Sequence, residues 1–131
     1  MKILIIDNDP NTVTTLKALL MTQSNLTVDT AYGGQEGLDK MAANPPYDLL
    51  ILDVMMPTIS GMDVCKAMSQ NDKIKNIPVL LISALPIASK ELRELLAQFQ
   101  ETRVVKGVLE KPFSIEILLE QVNSIVPPAA A

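Results

Sequence analysis

Five short apolar segments alternating with five amphipathic stretches predict an α/β fold, a single domain built on a doubly wound sheet of parallel strands with a helix after each. Three observations carry this prediction. Several of the apolar segments are near-continuous Ile/Leu/Val runs, the form taken by parallel strands buried on both faces. The stretches between them place apolar residues at helical spacing. At 131 residues, 48% hydrophobic and 3% aromatic with no Trp, the chain suits one aliphatic core, and a domain of this size buries roughly 68% of its unfolded surface.

The strands are predicted near 2–6, 26–31, 48–53, 78–82 and 106–110. The first helix has a clear start, because Asp9 is a good cap and Pro10 suits the first helical position; Val13, Leu16, Leu19 and Leu20 then form one face. Gly33-Gly34 break the chain ahead of a second helix carrying Leu38 and Met41, which Asn44-Pro45-Pro46 stop. Gly61 opens a third helix with Met62, Cys65 and Met68 on one face. Ser89 caps a fourth, with Leu92, Leu95, Leu96 and Phe99, and Ser114 a fifth, with Ile115, Leu118, Leu119, Val122 and Ile125. The segment Thr27-Val28-Asp29-Thr30-Ala31 mixes polar and small residues, which marks it as an edge strand. The domain is expected to span 1–126, with 127–131 as a tail or linker stub.

A net charge of −4 and a pI near 4.7 supply no basic stripe, so direct nucleic-acid binding is not expected. Histidine is absent, which removes His-based zinc sites, Ser-His-Asp triads and a histidine general base. The single cysteine, Cys65, has no internal partner, and the apolar stretch Ile3 to Ile6 is too short for a signal peptide or a membrane span. A cytoplasmic location is expected.

Four of the strands end on residues suited to phosphate chemistry: Asp7, Asp53, Ser83 and the pair Glu110-Lys111. In open parallel sheets the ligand lies beyond the carboxyl ends of the strands, so these side chains share one crevice. Two neighbouring carboxylates repel, which favours a raised pKa or a bound cation, and Mg²⁺ with oxygen ligands and retained waters is the natural choice. One Asp could then be phosphorylated while the other holds the ion. Lys111 supplies a cation for carboxylate or phosphate, and Ser83 a hydroxyl donor. Each residue also has a purely structural explanation: Asp7 as a helix-entry cap, Ser83 as a turn residue, Lys111 as a solvated charge.

Four strings in chain order carry a family resemblance. They are Ile5-Ile6-Asp7-Asn8-Asp9-Pro10; Leu49-Leu50-Ile51-Leu52-Asp53-Val54-Met55-Met56-Pro57 with Gly61; Leu81-Ile82-Ser83-Ala84; and Glu110-Lys111-Pro112-Phe113. Together they resemble the receiver domain of bacterial two-component response regulators, of the chemotaxis-regulator type, over essentially the whole chain. The resemblance implies a flavodoxin-like (βα)5 fold with strand order 2-1-3-4-5. It makes Asp53 the phosphoacceptor, assigns Mg²⁺ to Asp7, Asn8, Asp53 and the Met55 carbonyl, and places Ser83, Ala84 and Lys111 on the phosphate. It also implies a cis Lys111-Pro112 bond, uncommon among X-Pro bonds generally. The implied partners are a sensor histidine kinase or phosphotransfer protein, a downstream protein target or effector domain, and a second receiver in a homodimer. The implied role is a switch that accepts and hydrolyses its own phosphate, rather than an enzyme turning over an external substrate.

Three positions depart from that pattern. Asn8 stands where a second acid is usual, leaving less charge for the metal. Val108 stands where an aromatic usually couples the switch to output. The 28 positions from Ser83 to Lys111 exceed the usual number, a surplus expected to lengthen the fourth helix or its exit around Gln100-Glu101-Thr102-Arg103 and alter partner geometry. Two other readings follow: a degenerate receiver that docks or dimerises without phosphate, and a haloacid-dehalogenase-type phosphatase using Asp7 in Asp7-Asn8-Asp9. The second lacks Thr or Val at Asn11 and lacks acids on a strand beyond Lys111.

Overall fold

The computed structural model describes residues 1–23, 25–43, 47–99 and 103–127. Strand and helix alternate throughout as β1 (Lys2–Ile6), α1 (Pro10–Leu20), β2 (Thr27–Ala31), α2 (Gly34–Ala43), β3 (Leu49–Asp53), α3 (Gly61–Ser69), β4 (Val79–Ser83), α4 (Lys90–Phe99), β5 (Val105–Glu110) and α5 (Ile115–Ile125). All strand pairs are parallel and the order is β2-β1-β3-β4-β5, as expected, with the polar strand β2 at the edge. Asp29 of that strand is satisfied there by the Tyr47 hydroxyl, which donates to Oδ2 at 2.6 Å.

The aliphatic runs of β1, β3 and β4, from Ile3 to Ile6, Leu49 to Leu52 and Val79 to Ile82, have no exposed surface at all. Burying each such side chain stabilises the fold by about 1.5–3 kcal/mol. Alternate residues enter opposite layers. Leu4, Ile6, Leu50, Leu52, Val79 and Leu81 pack with Met41, Cys65, Met68, Leu92 and Phe99 of α2, α3 and α4. Ile3, Ile5, Leu49, Ile51, Leu80 and Ile82 pack with Val13, Leu16 and Leu20 of α1 and Leu118 and Val122 of α5. The central strands therefore need apolar residues at every position, which is why they read as unbroken runs.

Helix starts follow the expected caps. The Asp9 carboxylate accepts from the Asn11 amide at 3.0 Å, Ser89 Oγ from the Leu92 amide at 3.2 Å, and Ser114 Oγ from the Ile117 amide at 3.2 Å. The third helix opens at Gly61, as expected. Its cap is Ser60, one residue before the glycine, and Ser60 and Asp63 form a reciprocal capping box. Those bonds to Ser60 also hold the Asp63 carboxyl below the usual carboxylate range. The segment 70–77 between α3 and β4 escaped the sequence reading: its turns bury Ile74 and Ile77 without helical or strand periodicity. The expected α2 stop at Asn44-Pro45-Pro46 and positions 100–102 of the α4 exit lie outside the described residues, as does the tail beyond Pro127.

Candidate functional site

The parallel sheet brings the carboxyl ends of β1, β3, β4 and β5 to one edge, and the turns that follow hold the polar residues in place. Asp7 leaves β1 fully buried. Its Oδ1 accepts the Asp9 amide at 2.9 Å, and Asp9 in turn spends its own carboxylate on capping α1, with Oδ2 accepting from Thr12 Oγ1 at 3.0 Å. Asp9 is thus a structural cap. Asn8 between them is exposed at the mouth of the site.

Asp53 ends the central strand β3 at 6% exposure. Its Oδ1 accepts the Met55 amide at 3.3 Å, so the turn that follows β3 folds back over the carboxylate. That turn is tight: the Ile59 amide donates to the Pro57 carbonyl at 2.8 Å across Thr58, whose φ of 69° lies in the left-handed region. A β-branched residue is strained in that conformation.

Lys111 connects the two acids. Its Nζ lies 2.7 Å from Asp7 Oδ2 and 3.9 Å from Asp53 Oδ2. The backbone pins it from the other side, because the Lys111 amide donates to the Ser83 carbonyl at 2.7 Å, and the Lys111-Pro112 bond is cis. Ser83 is 1% exposed, and its hydroxyl is engaged locally, with Oγ accepting the Leu85 amide at 2.9 Å and lying 3.3 Å from the Leu85 carbonyl. The next residue, Ala84, is exposed at the same edge.

One ammonium serves two buried carboxylates, and the shortfall falls on Asp53. Burial pushes its carboxyl up to about 7, and the charge on Asp7 adds to that rise; Lys111 and the Met55 amide pull the other way. A site holding one buried negative charge too many favours a cation. The two carboxylates are oxygen donors suited to Mg²⁺, which binds one or two carboxylates and keeps several waters. Among the described residues no three His, Cys, Asp or Glu side chains converge on one metal position.

Asp7, Asp53, Ser83 and Lys111 therefore meet as expected at one edge. Ser83 also fills the turn role that was one reading of it, through its bond with Leu85, whereas the reach of Glu110 Oε1 to the Ile87 amide, 2.7 Å, was not read from the sequence. No local pattern marks the Glu110 contact.

The family model for the response regulator receiver domain matches residues 3–123. The chain belongs to the response regulator receiver family. This receiver is 35% identical over 125 residues to the response regulator ArlR of Staphylococcus aureus, covering 95% of this chain and 52% of that protein. It thus spans about half the length of the curated relatives it matches. Among solved structures it resembles the chemotaxis protein CheY4 of Vibrio cholerae, with a TM-score of 0.81 and 27% identity over 95% of this chain and 98% of that one. It also resembles the response regulator TrrA of Thermotoga maritima in complex with Mg²⁺-BeF, with a TM-score of 0.76 and 29% identity over 95% and 98% of the two chains. Membership of this family leaves the phosphatase reading without support. Among the described residues no helix is long and apolar enough to cross a membrane.

Proposed function

We infer that this receiver is a phosphorylation switch in which Asp53 accepts a phosphoryl group from a phosphohistidine on a sensor kinase or phosphotransfer protein, and its partner-binding surface changes in response. The observation that carries this reading is the buried Asp53 carboxylate at the end of the central strand, with Lys111 reaching both it and Asp7. An Asp53 oxygen attacks phosphorus as the phosphorus–nitrogen bond to the donor imidazole breaks. Lys111, 3.9 Å from Asp53 Oδ2, needs only a short movement from Asp7 to pair with a phosphoryl oxygen. Ser83 Oγ and the Ala84 main chain lie at the neighbouring strand end to donate to the others. Mg²⁺ held by Asp7, Asp53, the Met55 carbonyl and Asn8 would neutralise the carboxylates and the incoming phosphoryl charge. The structural neighbour TrrA is known in complex with Mg²⁺-BeF, which supports Mg²⁺ as the cation here. Intact mass after treatment with acetyl phosphate and Mg²⁺ tests the reading, which requires an adduct on Asp53. Failure of every phosphodonor to give one would favour a docking module instead.

Asn8 is expected to weaken the metal site. Asn8→Asp adds a third negative charge at its mouth and should tighten Mg²⁺ binding by about tenfold in a direct titration. Equal affinities for wild type and variant would remove Asn8 from the metal site.

A groove of about 250 Å³ runs beside Lys111 between α1 and the start of α5, lined by Thr12, Thr15, Leu16, Leu19, Pro112 and Phe113. Its position next to the acidic site suits the docking of a protein phosphodonor. Thr15→Arg should slow transfer from a histidine phosphotransfer protein at least about tenfold while leaving the acetyl phosphate rate within twofold. Parallel loss with both donors would place the defect in the chemistry rather than in docking.

A further inference from the structure

Successive side chains of a strand point to opposite faces, and at the end of β5 this sends Glu110 and Lys111 to different tasks. Lys111 reaches the two aspartates. Glu110, paired in register with Ser83, turns instead to the loop between β4 and α4, where its Oε1 accepts the Ile87 amide at 2.7 Å. We propose that Glu110 is a positioning residue for the phosphate site: it holds the loop 84–89 in the arrangement that keeps the Ser83 hydroxyl on Leu85. The proposal rests on the reading of Asp53 as the phosphoacceptor.

Apart from Leu85, which is partly buried against the core, the side chains of the loop hold it little. Ala84, Pro86, Ile87 and Ala88 are exposed, and Ile87 is 45% exposed despite its apolar side chain. Its other hydrogen bonds among the described residues are local, with Leu85 bound to Ser83 and the Ser89 amide donating to the Pro86 carbonyl at 2.9 Å. The Glu110 bond spans 23 residues and ties the loop to a different strand. A carboxylate accepting a main-chain N–H is also stronger than a neutral pair.

The direction of the effect follows from what Ser83 is doing. With its oxygen accepting from the Leu85 amide and its proton facing the Leu85 carbonyl, the hydroxyl is committed to its own turn. Donation to a phosphoryl group on Asp53 requires that turn to open. Leu85 lies two residues from Ile87, so a fixed Ile87 resists the opening. Glu110 therefore biases the switch toward its resting arrangement, and the Glu110-Lys111 pair joins the acidic site to the loop through two adjacent residues at the end of β5.

The test compares wild type with Glu110→Ala and Glu110→Gln, the glutamine retaining an acceptor oxygen. Amide exchange at Leu85, Ile87 and Ala88 is followed in ligand-free protein, and affinity for beryllofluoride with Mg²⁺ is titrated. In Glu110→Ala the Ile87 amide should exchange faster and beryllofluoride should bind tighter, each by roughly three- to tenfold. Glu110→Gln should stay within about twofold of wild type. Unchanged exchange at Ile87, or unchanged or weaker beryllofluoride binding in Glu110→Ala beside a wild type that binds it, overturns the holding role alone. Absence of beryllofluoride binding in wild type overturns the phosphoacceptor reading, and the proposed role with it.

Discussion

Asp53→Asn protein is expected to gain no phosphoryl mass on incubation with acetyl phosphate and Mg²⁺, where wild type gains one group mapped to the peptide containing Asp53. An amide has no anionic oxygen to attack phosphorus, and the other buried acid is not placed to replace it, since Asp7 Oδ2 is held by Lys111 at 2.7 Å and Oδ1 by the Asp9 amide at 2.9 Å. Label on Asp7 in wild type would overturn the assignment. The same substitution should also change stability in the absence of metal. Burial and the charge on Asp7 raise the Asp53 carboxyl from 3.8 to about 7. Between those values the folded protein binds a proton that the unfolded chain has released. The contribution of protonated Asp53 is therefore fully present below pH 3.8 and is lost as pH rises through about 7. In EDTA at pH 8, Asp53→Asn should be more stable than wild type by on the order of 2 kcal/mol, because the amide carries no charge to bury. That gap should narrow at pH 5 and narrow again on adding Mg²⁺. A gap independent of pH would remove charge repulsion as its cause.

Legibility in the sequence tracked how local the determining physics is. The central strands announced themselves because both faces are buried, and β2 declared itself an edge because Thr27, Asp29 and Thr30 tolerate solvent or a polar partner. The caps at Asp9, Ser89 and Ser114 act within three residues, so they too were readable. Strand ends collected Asp7, Asp53, Ser83 and Lys111 as soon as the sheet was taken as parallel. What escaped was set by distant neighbours. The Ile87 amide meets Glu110 across 23 positions. Ile74 and Ile77 are buried in turns without any period. The capping box at Ser60 and Asp63 was legible in principle but went unread, and Gly61, which does open the helix as expected, has a further role that no local pattern marks.

That role makes Gly61→Ala the substitution expected to do most damage outside the reacting residues. A Cβ at position 61 would lie 2.6 Å from the Asp53 carbonyl oxygen and 3.1 Å from both Cα and the carbonyl oxygen of Val54. All three are backbone atoms, so no side chain can swing aside. The strand end cannot retreat either, because β3 is bonded on both sides, to β1 and β4, and the Val54 amide donates to the Ile82 carbonyl at 3.0 Å. The remaining escape is for α3 to back away, which stretches the 3.1 Å bond from the Gly61 amide to the Val54 carbonyl and tilts the helix whose Met62, Cys65 and Met68 fill the core. A cost of about 2–3 kcal/mol follows, read as a lower urea midpoint at constant m-value. Any movement shared by the strand shifts Asp53 relative to Lys111, so phosphorylation by acetyl phosphate should slow at least about tenfold in protein that is still fully folded. Gly33→Ala provides the control, since a Cβ there meets nothing within 4 Å. Wild-type stability and rate in Gly61→Ala would show that the backbone approach is looser than these distances require; a loss of both would make Gly61 the spacer that lets α3 sit against the strand carrying Asp53.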